Sequence, residues 1–261
     1  MHDVLNYYRK SKETTYNAIL CVIGGLIWLG FLVFIFTASK STIMGLLPLT
    51  FYAVIFILFF VISALLFRAN AMGNMILVSE EQFPHINQMV IDGAKQLGIN
   101  PPETFIYNSN GLLNAFARQV FGRDYLLLTS SIVDVTTEAQ IKFIVGHELG
   151  HHAAGHLNFG GYLLRLPARI IPFLYKAYSR QCEYTCDRLG FYVAKDVENS
   201  CRAISMLGCG CQKLNSSLNL FAFEKQENLV PPTSGYFAEI LRSHPRLTKR
   251  VISLRNTKLL D

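Results

Sequence analysis

The sequence predicts an α+β fold, mainly helical with a small β-sheet, preceded by a two-helix transmembrane hairpin. Three observations lead there. Two long apolar stretches near the start of the chain carry no charge. Beyond them, apolar residues recur at helical spacing behind capping signals. Among those helices lie three short runs rich in aromatic and branched residues, each bounded by turn formers.

The hairpin comes first. Thr14 to Ser39 and Ser41 to Phe67 contain no charged residue, and each exceeds the roughly 20 apolar residues that cross a hydrocarbon core. Only Lys40 separates them. They read as spans at 18–38 and 45–67 joined by a very short loop, after an N-terminal segment 1–17. A cleavable signal peptide has an apolar core of about 7–15 residues and a small-residue cleavage site. The bulky run Phe31 to Phe36 and the second stretch that follows at once argue against one. From Arg68 the composition becomes that of an ordinary globular domain, residues 68–261.

Arg9, Lys10 and Lys12 precede the first span and Arg68 follows the second, against Lys40 alone in the loop. Lys and Arg collect on the cytoplasmic side, so segment 1–17 and the large domain are expected in the cytoplasm. The expected address is an integral membrane protein, of the inner or plasma membrane if the cell is bacterial. Mean hydropathy is +0.29 and 16% of residues are charged, as suits a chain partly in lipid. The net charge of +6 fits proximity to anionic lipid and is too diffuse for nucleic acid. Cys21 lies in the first span and five further cysteines in the domain, at spacings unlike a secreted disulfide framework.

In the domain, Ser79 with Gln82 has the form of a capping box. Ile86, Met89, Val90, Ala94 and Leu97 follow at helical spacing, and Gly98 marks the stop. Thr104 to Tyr107, Leu112 to Ala117 and Tyr125 to Thr129 read as strands, the last two joined through Gly122-Arg123-Asp124. A helix begins near Thr137, with Gln140 at the capping-box position and Ile141, Ile144, Val145 and Leu149 as its apolar stripe. Further helices are expected around Gln181 to Val193, around Val197 to Leu207 and after Pro245, with a loop-rich stretch from Leu214 to Gly235. Phe159 to Tyr178 is apolar but carries Arg165, Arg169, Pro167 and Pro172. An arginine at bilayer depth is costly, so a full span is disfavoured. A membrane-surface helix or a cover over the site remain, and the cover is the plainer reading.

The chemistry is concentrated in His147-Glu148-Leu149-Gly150-His151. Residues at i and i+4 project from one helix face, so His147 and His151 can reach one metal ion. A catalytic zinc takes three protein ligands and keeps a position for water. Glu148 is placed to take the water's proton and pass it to the leaving amine, while the metal acidifies the water and polarises the carbonyl. Four of the seven histidines fall between His147 and His156, which argues against a merely solvated face.

A metzincin pattern would need glycine and histidine where Ala154 and Leu157 stand. His156 lies about 500° round the helix from His151, off the metal-facing side. Glutamate is the better third ligand. Glu183 and Asp187 share a helical face downstream. Glu183 could complete the site, with Asp187 accepting a hydrogen bond from a ligand histidine. A solvated acidic face paired with Arg180 and Arg188 is the bland alternative. Cys182 and Cys186 read as packing rather than as ligands.

The zinc motif with His156, then Ser179-Arg180-x-x-Glu183-x-x-x-Asp187-Arg188-x-Gly190, then His244-Pro245 with Arg250, resembles the HtpX-type membrane zinc metallopeptidases. That family also includes the CAAX prenyl proteases. Asn114-Ala115-Phe116-Ala117 matches a further family segment, and the resemblance covers roughly Ser79 to Arg255. It implies a gluzincin-type domain with one zinc ion per chain, held by His147, His151 and Glu183. It implies Glu148 as general base, Asp187 as support, and His244 near the metal, stabilising the oxyanion or modulating the site. A turn residue before proline is the alternative for His244. Asn114, Ala115 and Phe116 would form an edge that binds an extended substrate by backbone pairing.

The sequence therefore predicts a membrane-anchored zinc endopeptidase acting on protein or peptide substrates, with misfolded membrane proteins as candidates in a quality-control role. The rivals are a CAAX-type prenyl-peptide processing enzyme and a non-catalytic membrane adaptor that keeps the zinc fold. The multi-span chamber of the prenyl proteases is more than this chain can build, and all the catalytic residue types are present, which argues against the adaptor.

Overall fold

A computed structural model describes residues 2–260. Helix α1 (His2–Tyr8) is followed by α2 (Ser11–Thr37), the short α3 (Lys40–Gly45) and α4 (Leu47–Asn74). Both α2 and α4 are long and apolar enough to cross a membrane. Protein covers little of them: Phe36, Phe56 and Phe59 are 85%, 70% and 67% exposed. Lipid is the solvent that such surfaces fit. The Ser39 hydroxyl accepts from the Thr42 amide to start α3, so the loop between the spans is itself a helical turn.

The sheet has strand order β1 (Ile76–Leu77), β2 (Glu103–Tyr107), β4 (Arg123–Thr129), β3 (Ala115–Val120). The β2–β4 pair is parallel and the outer pairs are antiparallel, which leaves β3 at an edge. The continuous apolar run in β4 has a simple cause, because both faces of the sheet are covered. Leu126 and Leu128 face the helical core. Tyr125 and Leu127 pack with Phe105 under Ala64, Phe67 and Ala71 of α4. The last turns of α4 thus seat the second span on the sheet.

Helix α5 (Pro84–Leu97) starts later than expected. Ser79 and Gln82 close a separate turn, with the Gln82 amide donating to the Ser79 hydroxyl. Pro84 disfavours helical backbone at Phe83, which takes φ 58°. Gly98 ends the helix as anticipated, at φ 66°. β3 begins at Ala115 and runs to Val120, a few residues beyond the predicted strand.

Past α6 (Ser130–Val135), helix α7 (Glu138–Ala153) carries the Thr137/Gln140 capping box read from the sequence. It is buried nearly all round and lies along α9 (Pro172–Ala194) for much of its length. Two glycines permit this. A Cβ on Gly190 would stand 2.9 Å from the Phe143 carbonyl oxygen and 3.0 Å from the His147 nitrogen. One on Gly146 would stand 3.0 Å from the Gly190 Cα. Helix α5, α10 (Val197–Cys209) and α14 (Leu247–Arg255) close the core around this pair.

Residues 159–178, ambiguous in the sequence, form α8 (Phe159–Arg165), a 3-10 turn (Pro167–Ile170) and the first turns of α9. They pack on α2. The stretch expected to be loop-rich holds short helices: α11 (Gln212–Ser217), α12 (Leu220–Lys225), a 3-10 turn (Gln226–Leu229) and α13 (Pro232–Ile240). Asn219 caps α12 through its side chain, a local signal hidden among polar neighbours.

Gly190→Ala is expected to lower stability by about 1–3 kcal/mol, because its methyl meets backbone rather than a movable side chain. Gly30→Ala, with nothing within 4 Å of its Cβ, serves as control and should leave thermal unfolding in detergent unchanged.

Candidate metal centre

The α7–α9 approach brings His147, His151 and Glu183 together. One ligand atom from each lies within 4.8 Å of the others. His147 Nε2 stands 3.6 Å from Glu183 Oε2, and His151 Nε2 stands 3.7 Å from Glu183 Oε1. Both distances exceed a hydrogen bond, as a cradle for a cation requires.

The tautomers follow from what lies behind the rings. His147 Nδ1 is 3.0 Å from Asp187 Oδ1. A carboxylate only accepts, so Nδ1 carries the proton and Nε2 keeps a free lone pair. His151 Nδ1 is 3.1 Å from His156 Nδ1, and His156 Nε2 is 3.2 Å from Glu13 Oε1. His156 donates to Glu13 through Nε2 and accepts from His151 through Nδ1. His151 Nε2 is then also a lone pair aimed at Glu183. Two unprotonated imidazole nitrogens and a carboxylate are a donor set that fits Zn2+.

Charge settles around this set. Burial pushes the His151 imidazole well below the usual histidine value, helped by neighbouring histidines, which favours the neutral form a ligand needs. Burial tends to raise the Asp187 carboxyl, but Arg250 overrides it and holds Asp187 ionised. Arg250 donates from Nε to Asp187 Oδ2 at 2.8 Å and from Nη2 to Oδ1 at 2.6 Å. Its Nη1 lies 3.6 Å from Glu183. Glu148 moves the other way: burial, with the Glu183 charge adding, raises its carboxyl, and His147, the Ala117 amide and Arg250 offset only part.

The residues expected to ligate metal, catalyse or bind substrate all line one cleft of about 530 Å³, and Asp187 stands behind His147. Asn114, Ala115 and Phe116 form one wall, and edge strand β3 runs from there past Glu148. Thr129 fixes Asn114, its amide and hydroxyl both donating to the Asn114 carbonyl. His244 is 66% exposed, with Nδ1 3.1 Å from Glu183 Oε2. None of residues 159–178 is among the lining, so the cover expected there is not what the segment forms. It lies against α2 instead.

Three partners escaped the sequence reading. Arg250 was visible only as part of a motif. His156 contacts the back of His151 because α7 has ended at Ala153 and Gly155 turns the chain at φ 72°; helical periodicity no longer applied there. Glu13, 3% exposed, sits in the first turn of α2, pairs with Arg9 at 3.3 Å and accepts from Thr185. Arg9 also donates to the Ala154 carbonyl at the end of α7, at 2.6 Å. His152, by contrast, binds the sheet through Tyr125 and Asp124.

Two other groups, His151/His156/Cys186 and Glu13/His156/Cys182, also bring three metal-binding residue types together. Both need a thiolate. Burial pushes both thiols up, and both side chains are packed in the interior.

The model of Peptidase family M48 matches residues 80–167 and 158–258, more than half of the chain. The chain belongs to peptidase family M48. This is the family to which the HtpX-type resemblance of the motifs pointed. The chain is 26% identical over 168 residues to the plastoglobule-localized metallopeptidase 48, chloroplastic, of Arabidopsis thaliana. The match covers 59% of this chain and 48% of that relative, so the chain spans about half the relative's length. The crystal structure of S. mikatae Ste24p shares the fold, with TM-score 0.52 and 16% identity over 95% of this chain and 67% of that one. The matched residues include His147, His151 and Glu183, which lie close together in the structure.

Replacing Arg250 with Met should cost about 3–5 kcal/mol, the usual cost of leaving a buried partner charge unpaired. Unfolding monitored in detergent checks this, and a loss below that of exposed Arg242→Met contradicts it.

Proposed function

We propose that this protein is a membrane-anchored, zinc-dependent endopeptidase of the gluzincin type. The single observation that carries this reading is the convergence of His147, His151 and Glu183 beside Glu148 in an open cleft. His147 and His151 would hold the ion through Nε2 and Glu183 through its carboxylate. When bound, zinc supplies Lewis acidity to the scissile carbonyl and acidifies a water toward about pKa 7.

The remaining steps belong to the chain. Glu148 takes a proton from the water as its oxygen adds to the carbonyl carbon. As the C–N bond breaks, Glu148 delivers that proton to the leaving amine. Burial raises its carboxyl, which favours the protonated form it passes through. Asp187 and Arg250 hold His147 in the required tautomer. His244, exposed at the cleft beside Glu183, is positioned to donate to the developing oxyanion.

β3 offers its free edge to an extended peptide, and pairing of this kind reads backbone more than side chain. Apolar side chains, Phe143, Ile144, Ile204 and Leu247 among them, line the rest of the cleft. Both features favour unfolded polypeptide substrates over one fixed sequence. With two spans in the same chain, membrane-protein quality control is the role this supports. The Lys/Arg bias around the spans supports a cytoplasmic catalytic domain.

Glu148→Gln should retain zinc at wild-type stoichiometry and lose about 10²–10⁴-fold in casein hydrolysis. Chelation should abolish wild-type activity, and added zinc should restore it. Wild-type rates in the Gln variant would contradict the mechanism.

A further inference from the structure

The segment that leaves the cleft uncovered has another surface. Phe159, Leu163, Ile170, Ile171 and Phe173 are all exposed, Ile170 at 75%. Its inner face is fixed to α2 at points whose depth can be counted. The Trp28 indole donates to the Leu163 carbonyl at 3.0 Å. A Cβ on Gly24 would fall 2.0 Å from the Leu164 carbonyl oxygen, so only glycine admits this approach. Leu20 is fully buried against Ala168, Tyr178 and Cys182.

Helix α2 ends at Thr37, where Ala38 and Ser39 leave the helical region. About 20 residues are needed to cross the hydrocarbon, and counting back from Thr37 puts the near boundary at about residue 18. At about 1.5 Å per residue, Gly24 and Trp28 lie roughly 9 and 15 Å inside it. If the hydrocarbon began only after the contact, Leu29 to Thr37 would have to cross it with about 14 Å of helix, under half of what is needed. Tilt shortens the reach further. The segment held against Gly24 and Trp28 is therefore at bilayer depth.

We propose that residues 159–173 are a partial membrane insertion, a helix and turn that enter one leaflet beside α2, return without crossing, and are covered by lipid acyl chains. Both arginines of the segment have a hydrogen-bond partner, although Arg165 Nε is buried without one and Arg169 is exposed. Arg165, 6% exposed, donates to Asn17 Oδ1 at 2.7 Å and lies over the Tyr178 ring. Arg169 donates to the Tyr162 hydroxyl at 2.8 Å and stacks on Tyr175 at 4.3 Å. Pro167 and Pro172 occupy helix starts and have no N–H to satisfy. The amides of Leu166, Arg169, Ile171 and Leu174 are bonded within the segment. Irregular backbone is tolerated at membrane depth only when it is so satisfied or buried in protein.

The inference rests on the spanning role of α2 and not on the peptidase reading. Glu13, one hydrogen bond from His156, precedes the boundary by about five residues, so the insertion places the metal centre close to the lipid surface.

Trp28 is the only tryptophan, which gives the test. The full chain carrying Trp28→Phe receives one reporter, Ile170→Trp or Phe173→Trp, and is reconstituted in vesicles of acyl-brominated phosphatidylcholine. Phe56→Trp in mid-span and Leu229→Trp on the domain, 79% exposed, are the references. Both insertion reporters should lose emission to the extent of Phe56→Trp, with Leu229→Trp unaffected. Insertion reporters as unquenched as Leu229→Trp would overturn the proposal, whether water or a second copy of the chain covers the face.

Discussion

Backbone contact between α7 and α9 is the constraint on which everything else depends. Two helices normally stay 8–10 Å apart because side chains intervene. At Gly146 and Gly190 there are none, and the Gly190 Cα lies where a Gly146 Cβ would need space. The approach sets the reach between the two faces. His147 and His151 on one helix then meet Glu183 and Asp187 on the other. A methyl at either glycine would separate donor atoms that a metal ion must touch at once.

The charges assembled there are stable only as a set. Arg250 neutralises Asp187, Asp187 orients His147, and Glu13 with His156 orients His151. Each ring has one nitrogen engaged behind it and one free in front. Glu13 belongs to the helix that enters the membrane, and Arg9 beside it reaches the end of α7. The anchor is thus part of the scaffold behind the candidate metal centre, and Glu13, Leu20 and Gly24 are the buried points along it.

What the sequence made legible was local or periodic. The Thr137/Gln140 cap, the stripe of α7 and the shared face of Glu183 and Asp187 are short-range facts that tertiary folding did not override. The Ser79/Gln82 pair looks the same as a string of residues, but Pro84 moved the helix start and turned the pair into a separate turn. Arg250 and Glu13 are far along the chain from their partners, 63 residues for Arg250 to Asp187 and 143 for Glu13 to His156. No spacing rule connects them. The run Phe159 to Tyr178 combined apolar character with two arginines, and only the structure shows that Arg165 is buried against Asn17 while Arg169 stays at the surface beside Tyr162.

The central claim is a zinc centre built from two imidazoles and one carboxylate, with the neighbouring thiols uninvolved. X-ray absorption at the zinc edge of the purified, zinc-loaded protein tests it most directly. Scattering should come from nitrogen and oxygen alone at about 2.0–2.2 Å, with the outer-shell signature of two imidazoles that falls to one in His151→Ala. A sulfur shell at about 2.3 Å would assign the metal to Cys182 or Cys186 and contradict the account.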